Sequence, residues 1–245
     1  MKKLICLIFL TLASIAAANA TTLWGLTGDN VVNGGTLAGI TFDHNQKMGV
    51  ALQLIVPKVG YRYLAQTLGT PEAKPSVQAG INEKGLFVAG TKGGFNEWAL
   101  SGYGSVDDLL ADKDQAAQFA GSYLVADSGK MALIWISSQG RTDVQASDSG
   151  TLYFSSGNND RIKQLMADHA GLFGVEDFVT FSEDHSGGPN KTLSSLIVSL
   201  PDSGAPLAYI KTANTGDTER GKLTLDNDFW TSQPVGQVSF GAHNE

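Results

Sequence analysis

Cysteine is nearly absent from this chain of 245 residues: the one present, Cys6, lies in an apolar stretch at the N-terminus. The remainder therefore has no disulfide, no thiol nucleophile and no thiolate metal ligand, and its stability must come from a packed core. Histidine is also scarce. His44, His169, His185 and His243 are far apart and form no H-x-x-x-H or HExxH pair, so no metal centre is expected. His169 falls on an apolar helical face and reads as a core histidine, and Asp184-His185 reads as the charged end of a helix. Basic residues are outnumbered, 17 against 24 acidic ones for a net charge of −7, and no basic run carries interleaved aromatics. Nucleic acid is excluded as a partner on that ground. No G-x-S-x-G elbow occurs. The glycine-rich "VVNGGTLAG" lacks the spaced third glycine that opens a helix in a dinucleotide fingerprint, so no cofactor is expected.

What is present begins with a leader. Lys2 and Lys3 precede an uncharged run from Leu4 to Ala18 and the small-residue pattern Ala18-Asn19-Ala20. This is the three-part pattern of a secretory signal, too short for a membrane anchor. Cleavage after Ala20 exposes Thr21, whereas a competing site at Ala16-Ala17-Ala18 exposes Asn19. Residues 1–20 are thus expected to be a signal peptide and 21–245 a single domain, periplasmic or secreted, with no membrane span. Loss of Lys2 and Lys3 lowers the basic residues from 17 to 15 against 24 acidic, and the charge from −7 to −9. A homo-oligomer is compatible with the sequence.

Along this domain, strand-like runs alternate with turn dipeptides. "TTLWGLT", "GTLAGITF", "GVALQLIV" and "YRYLAQT" are rich in β-branched, aliphatic and aromatic residues. "SVQAGINEKGLFVAG" and "SYLVADSGKMALIWIS" read as hairpins turning at Asn82-Glu83-Lys84-Gly85 and Asp127-Ser128-Gly129-Lys130, and Pro201-Asp202-Ser203-Gly204 turns a further one. Helical spacing appears at Ile162, Leu165, Met166 and His169 behind a cap at Asn159 or Asp160, over 174–185, and briefly over 105–112. Antiparallel strands segregated from helices predict an α+β domain with helices on the outer faces of sheets.

One chemical possibility is built into the start of this domain. A threonine hydroxyl is a weak nucleophile, but at residue one its own α-amine, with an unperturbed pKa of roughly 7.7–8.0, is a general base within reach. Cleavage after Ala20 would create both on Thr21. Many exported proteins also begin with threonine for no chemical reason.

The blocks "TTLWGLTGDNVVNGGTLAGITFDH", "LQLIVPKVGYRYL", "AGINEKGLFVAG" and "SYLVADSGKMALIW", in this order, resemble the choloylglycine hydrolase and penicillin acyltransferase-like group of N-terminal nucleophile hydrolases. The likeness runs from Thr21 to about Asn190. It implies a four-layer αββα sandwich and cleavage of linear amide bonds, or acyl transfer, by the mature N-terminal residue. Thr21 stands where that branch has cysteine. Asp43 matches the aspartate closing the family's Arg/Lys-Asn-x-Asp motif, which orients the α-amine. Asn82 matches an oxyanion-hole asparagine. On local grounds alone, Asp43 would end a strand and Asn82 would open a hairpin turn. Asn158 and Arg161 resemble a later asparagine and arginine at the substrate. Trp24, with Tyr61 and Trp98, is a candidate cleft aromatic. Ile40-Thr41-Phe42 replaces the basic residue and asparagine before Asp43, and Ser155-Ser156-Gly157 stands where an asparagine-histidine pair is expected.

Two functions follow from the resemblance. The first is an exported amidase acting on a small N-acyl substrate through Thr21, Asp43 and Asn82. The second is an inactive protein of the same fold that binds an apolar or acylated ligand.

Overall fold

The computed structural model describes residues 20–43, 49–69, 75–155, 161–183, 192–214 and 217–239. The leader up to Asn19, the proposed caps Asn159 and Asp160, and Asn158 lie outside them.

Two antiparallel sheets stack face to face. The first contains β1 (Ala20–Thr27), β2 (Thr36–Asp43), β10 (Gly150–Ser155), β11 (Thr192–Leu200), β12 (Leu207–Asn214) and β13 (Asp217–Thr224), in the order β10-β1-β2-β11-β12-β13. The second contains β3 (Gly49–Ile55), β4 (Tyr63–Gly69), β5 (Ser76–Asn82), β6 (Phe87–Gly90), β7 (Gly121–Ala126), β8 (Met131–Ile136), β9 (Thr142–Ser147) and β14 (Gly236–Gln237), in the order β14-β3-β4-β5-β6-β7-β8-β9. Helices α1 (Gly93–Gly102) and α2 (Val106–Ala111) cover the second sheet. Helices α3 (Arg161–Asp168) and α4 (Val175–Ser182) cover the first, and α5 (Asn227–Ser232) follows β13. This is the αββα sandwich that the resemblance implies.

Alternation along the strands assigns each side chain to a layer. Leu23, Ala38, Ile40, Phe42, Leu196 and Val198 enter the core between the sheets, with Leu52, Leu64, Leu68 and Leu133 from the opposite sheet. Their neighbours Trp24, Leu26, Leu37 and Ile197 face outward against Phe178 and Phe181 of α4 and Ile162 and Met166 of α3. Gly39 makes room for this second core, because a Cβ there would stand 3.1 Å from the Trp24 ring and 3.2 Å from Ile197. The β1–β2 turn places Asn33, Gly34 and Gly35 at φ of 66°, 72° and 83°, a left-handed run suited to Asn-Gly-Gly.

The helices at 105–112, 161–169 and 174–185 are present in shortened form. Ser105 caps α2 by accepting the Asp108 N–H at 3.1 Å. Asp177 holds the entry of α4, its carboxylate accepting the Gly174 N–H at 2.8 Å. His169 lies beyond the end of α3 and is only half-buried, its ring tilted against Phe173 with centroids 4.2 Å apart, at the edge of the core and not in it. Helices α1 and α5 have no counterpart in the sequence reading. Helix α1 begins at Gly93-Gly94, a poor helical start, and is held by tertiary contacts: Phe95, Ala99 and Leu100 are buried, and the Asn96 amide donates to Val77 O and Gln78 O, both at 2.9 Å.

Candidate active site

Thr21 sits near the N-terminal end of β1, in a strand paired on both sides: Thr21 is opposite Phe42 of β2, and from Thr22 onward β10 pairs on the other edge. It shares the parity of Leu23 and Gly25, so it faces the layer between the sheets and is buried, at 5% exposure. Ala20 continues the strand and is opposite Asp43. Asp43, by its backbone, is therefore beside the Ala20–Thr21 peptide bond, whose hydrolysis would free the Thr21 amine. The same end of β2 reaches Thr192 of β11.

Polar side chains collect between the sheets at this end. Ser194 of β11 is opposite Phe42 on the side away from Thr21, two strands from Thr21, and fully buried. Gln66 of β4 shares the inward parity of Leu64 and Leu68, is fully buried, and donates from Nε2 to the Ser195 carbonyl of the facing sheet at 3.2 Å. The Ser194 hydroxyl and Gln66 Oε1 have no hydrogen-bond partner among the described residues. Phe154, opposite Leu23, and Trp135 pack half-buried against this layer.

Asn82 is elsewhere, which corrects its reading as an oxyanion donor beside Thr21. It ends β5 beside Arg62, whose guanidinium donates to the Trp230 carbonyl. Trp230 in turn packs near Leu225 and the start of β12. That is the end of the sandwich holding Thr27 and Thr36, and β1 from Thr21 to Thr27 is about 20 Å long at ~3.3 Å per residue. Both amide hydrogens of Asn82 are already committed, to Leu100 O at 2.9 Å and Tyr103 O at 2.7 Å. Its Oδ1 accepts from Lys84 N and Leu86 N, both at 3.0 Å. Asn82 is the hinge of the β5–β6 turn and the anchor of the C-terminal end of α1, as the local reading has it. It also lines a cavity of about 530 Å³ with Lys84, Ser105, Asp127, Pro201 and Trp230 at this far end.

The proposed cleft aromatics separate as well. Trp24 is fully buried against α4, its ring centroid 5.8 Å from that of Phe178, and belongs to the sheet–helix core. Trp98 packs tilted or edge-on against Phe95, Tyr103 and Phe119 on the outer face of the second sheet, and Tyr61 lies under the Lys84 ammonium, 5.6 Å from it. Arg161 opens α3 in the outer helical layer, and its guanidinium donates to Gln164 Oε1 at 3.3 Å. Gln66 and Ser194 were missed because a lone glutamine in "YRYLAQT" and a serine in "SSLIVSL" carry no motif. Their signal was a polar residue at an inward position of an otherwise apolar strand.

A further charged cluster lies on the outer face of the first sheet. Glu183 faces buried Lys211 at 3.4 Å and Arg220 at 3.0 Å, and accepts the Tyr209 hydroxyl at 3.4 Å. Burial first, and the Glu183 charge second, push the Tyr209 phenol up to about 12.

No family model matches the chain, and no curated protein matches it. Solved structures do. A mutant of conjugated bile acid hydrolase from Clostridium perfringens superposes with a TM-score of 0.61 at 12% identity, over 91% of this chain and 97% of that one. A second variant of the same enzyme gives 0.58 at 12% identity, over 89% and 97%. The chain thus shares the fold of that hydrolase along nearly its whole length, at low sequence identity. No helix among the described residues is long and apolar enough to cross a membrane.

Proposed function

We propose that this protein is an exported amidase of the N-terminal nucleophile type, acting on a small N-acyl substrate in the periplasm or outside the cell, with Thr21 as nucleophile. The observation that carries the reading is the position of Thr21: inward-facing and buried near the end of a central strand, one residue beyond a peptide bond flanked by Asp43. Removal of residues 1–20 frees the amine. The amine takes the Thr21 hydroxyl proton, directly or through one water, as Oγ attacks the amide carbonyl carbon. The proton passes to the leaving nitrogen as the C–N bond breaks, leaving an ester on Thr21. Water then adds to the ester, and the acid departs with the hydroxyl restored. Asp43 is assigned to hold the amine. Backbone amides at this end take the oxyanion role that Asn82 does not fill.

The solved structures of bile acid hydrolase support the fold, and through it an amide as the bond class. One observation favours a binding-only protein instead: Ile40, which replaces the family's basic residue, is fully buried in the apolar layer between the sheets and supplies no charge. Mature protein and its Thr21→Ala variant, assayed against a panel of N-acyl amides, separate the two. Turnover lost in the variant with binding retained supports the amidase, and binding without turnover in both supports the alternative.

A further inference from the structure

Among the described residues each sheet shows a register slip, and the two slips face each other. In the first sheet the β2–β11 register slips between Thr192 and Ser194. In the second, the β4–β5 register slips between Gln66 and Thr67. Both are β-bulges at the Thr21 end. Bulges re-aim side chains and cluster beside functional sites. The second is braced from outside, since the Asn96 amide of α1 satisfies the carbonyls of Val77 and Gln78, the segment that the slip passes over. The slips leave Leu193 and Gln78 as the extra residues, and Ser194 and Gln66 stand directly beside them, both inward by the regular alternation of their own strands. They are joined across the sandwich by the bond from Gln66 Nε2 to Ser195 O. Each is fully buried, and the Ser194 hydroxyl and Gln66 Oε1 have no partner among the described residues.

A buried polar atom without a partner costs stability, and a polar group bound between these two would supply the partner that each lacks. From this geometry we infer that Gln66 and Ser194 form a polar subsite that reads an oxygen on the buried part of the substrate. Resting on Thr21 as the reacting residue, this deepens the substrate class: an N-acyl amide whose acyl chain carries a hydroxyl or oxo group, not a plain hydrocarbon chain. The Ser194 hydroxyl donates to that oxygen, and Gln66 Oε1 accepts from it when it is a hydroxyl. Ser194 is two strands from Thr21, about 10 Å between Cα atoms. With ~3 Å contacts at each end, the oxygen falls roughly four to six carbon atoms from the scissile carbonyl.

The test uses octanoyl amides that are unsubstituted or carry a hydroxyl at successive carbons. Binding is measured by calorimetry on mature Thr21→Ala protein, with and without Ser194→Ala or Gln66→Met, and kcat/KM is measured on protein that retains Thr21. A mid-chain hydroxyl is expected to tighten binding at least tenfold over the unsubstituted chain, and each second substitution to abolish that preference by weakening the hydroxylated chain far more than the plain one. Ser194→Ala, which deletes one unpartnered oxygen, is also expected to unfold at the same temperature or higher. Equal binding across the series, binding of none of it, or an equal loss for plain and hydroxylated chains in the variants overturns the inference. A retained hydroxyl preference in a protein that cleaves no amide sinks Thr21 as nucleophile and leaves the subsite standing.

Discussion

Thr21 and Asn82 stand at opposite ends of the same sandwich, about one strand length apart. Thr21 pairs with Phe42 where β2 ends, and Asn82 turns β5 into β6 beside the hairpins that hold Thr36 and Trp230. Residue 82 is therefore out of reach of Thr21, while the backbone of Asp43 lies beside Thr21.

Asn82→Ala should therefore act on stability. It leaves the carbonyls of Leu100 and Tyr103 unpaired under α1 and removes the acceptor for Lys84 N and Leu86 N. The expected loss is about 2–4 kcal/mol in urea unfolding, with turnover per folded molecule within twofold of wild type. A fall of a hundredfold in kcat at unchanged stability would return Asn82 to the reacting centre.

Trp24→Ala should cost about 3–5 kcal/mol by emptying the sheet–helix core against Phe178. Trp24→Phe, which also deletes an indole N–H without a partner among the described residues, should cost far less. Both are measured by denaturant titration. An effect of Trp24→Phe confined to KM would restore Trp24 as a substrate contact.

Alkaline pH should weaken the fold through its tyrosines. Burial lifts Tyr63 to about 12, Glu97 adding to the effect; burial likewise lifts Tyr209 to about 12, with Glu183 adding to it. A phenol whose pKa is raised in the folded state favours folding fully below the unfolded value near 10 and loses that contribution as pH climbs toward 12. Spectrophotometric titration should show delayed tyrosinate formation, with stability falling between pH 10 and 12. In Glu183→Gln, Tyr209 should still ionise late, because burial is the larger cause.

Catalysis by the Thr21 amine has its own pH signature. The protonated amine cannot accept the hydroxyl proton, so kcat/KM should rise with pH through an apparent pKa of about 8, near the ordinary α-amine value. Thr21→Ser should keep this profile at reduced rate. A flat profile from pH 6 to 9 in both proteins contradicts the amine as base.

Much of this fold was legible because its strands obey period two. In β1, Leu23 and Trp24 alternate between two cores, and the turns at residues 33–35, 82–85 and 127–130 carry the residues that their conformations need. Helix α1 was not legible: it starts at two glycines and depends on Asn96 reaching across to β5, a contact no local pattern reveals. Of the candidate site, Thr21 and the neighbouring backbone of Asp43 could be read, since a strand end and its hairpin partner are local. Asn82 could not be placed, because which end of a sandwich a turn occupies is set by sheet stacking. Gln66 and Ser194 belong to different sheets, 128 positions apart in sequence, and come together only when the sheets stack. Asn158 lies outside the described residues.

The most direct measurement is peptide mass mapping of exported, mature protein after reaction with an activated acyl ester. The account predicts a chain beginning at Thr21 whose N-terminal peptide gains one acyl group as a hydroxylamine-sensitive ester on the Thr21 hydroxyl, absent from Thr21→Ala. A chain beginning at Asn19, or an acyl group found elsewhere at the same rate in Thr21→Ala, would contradict it.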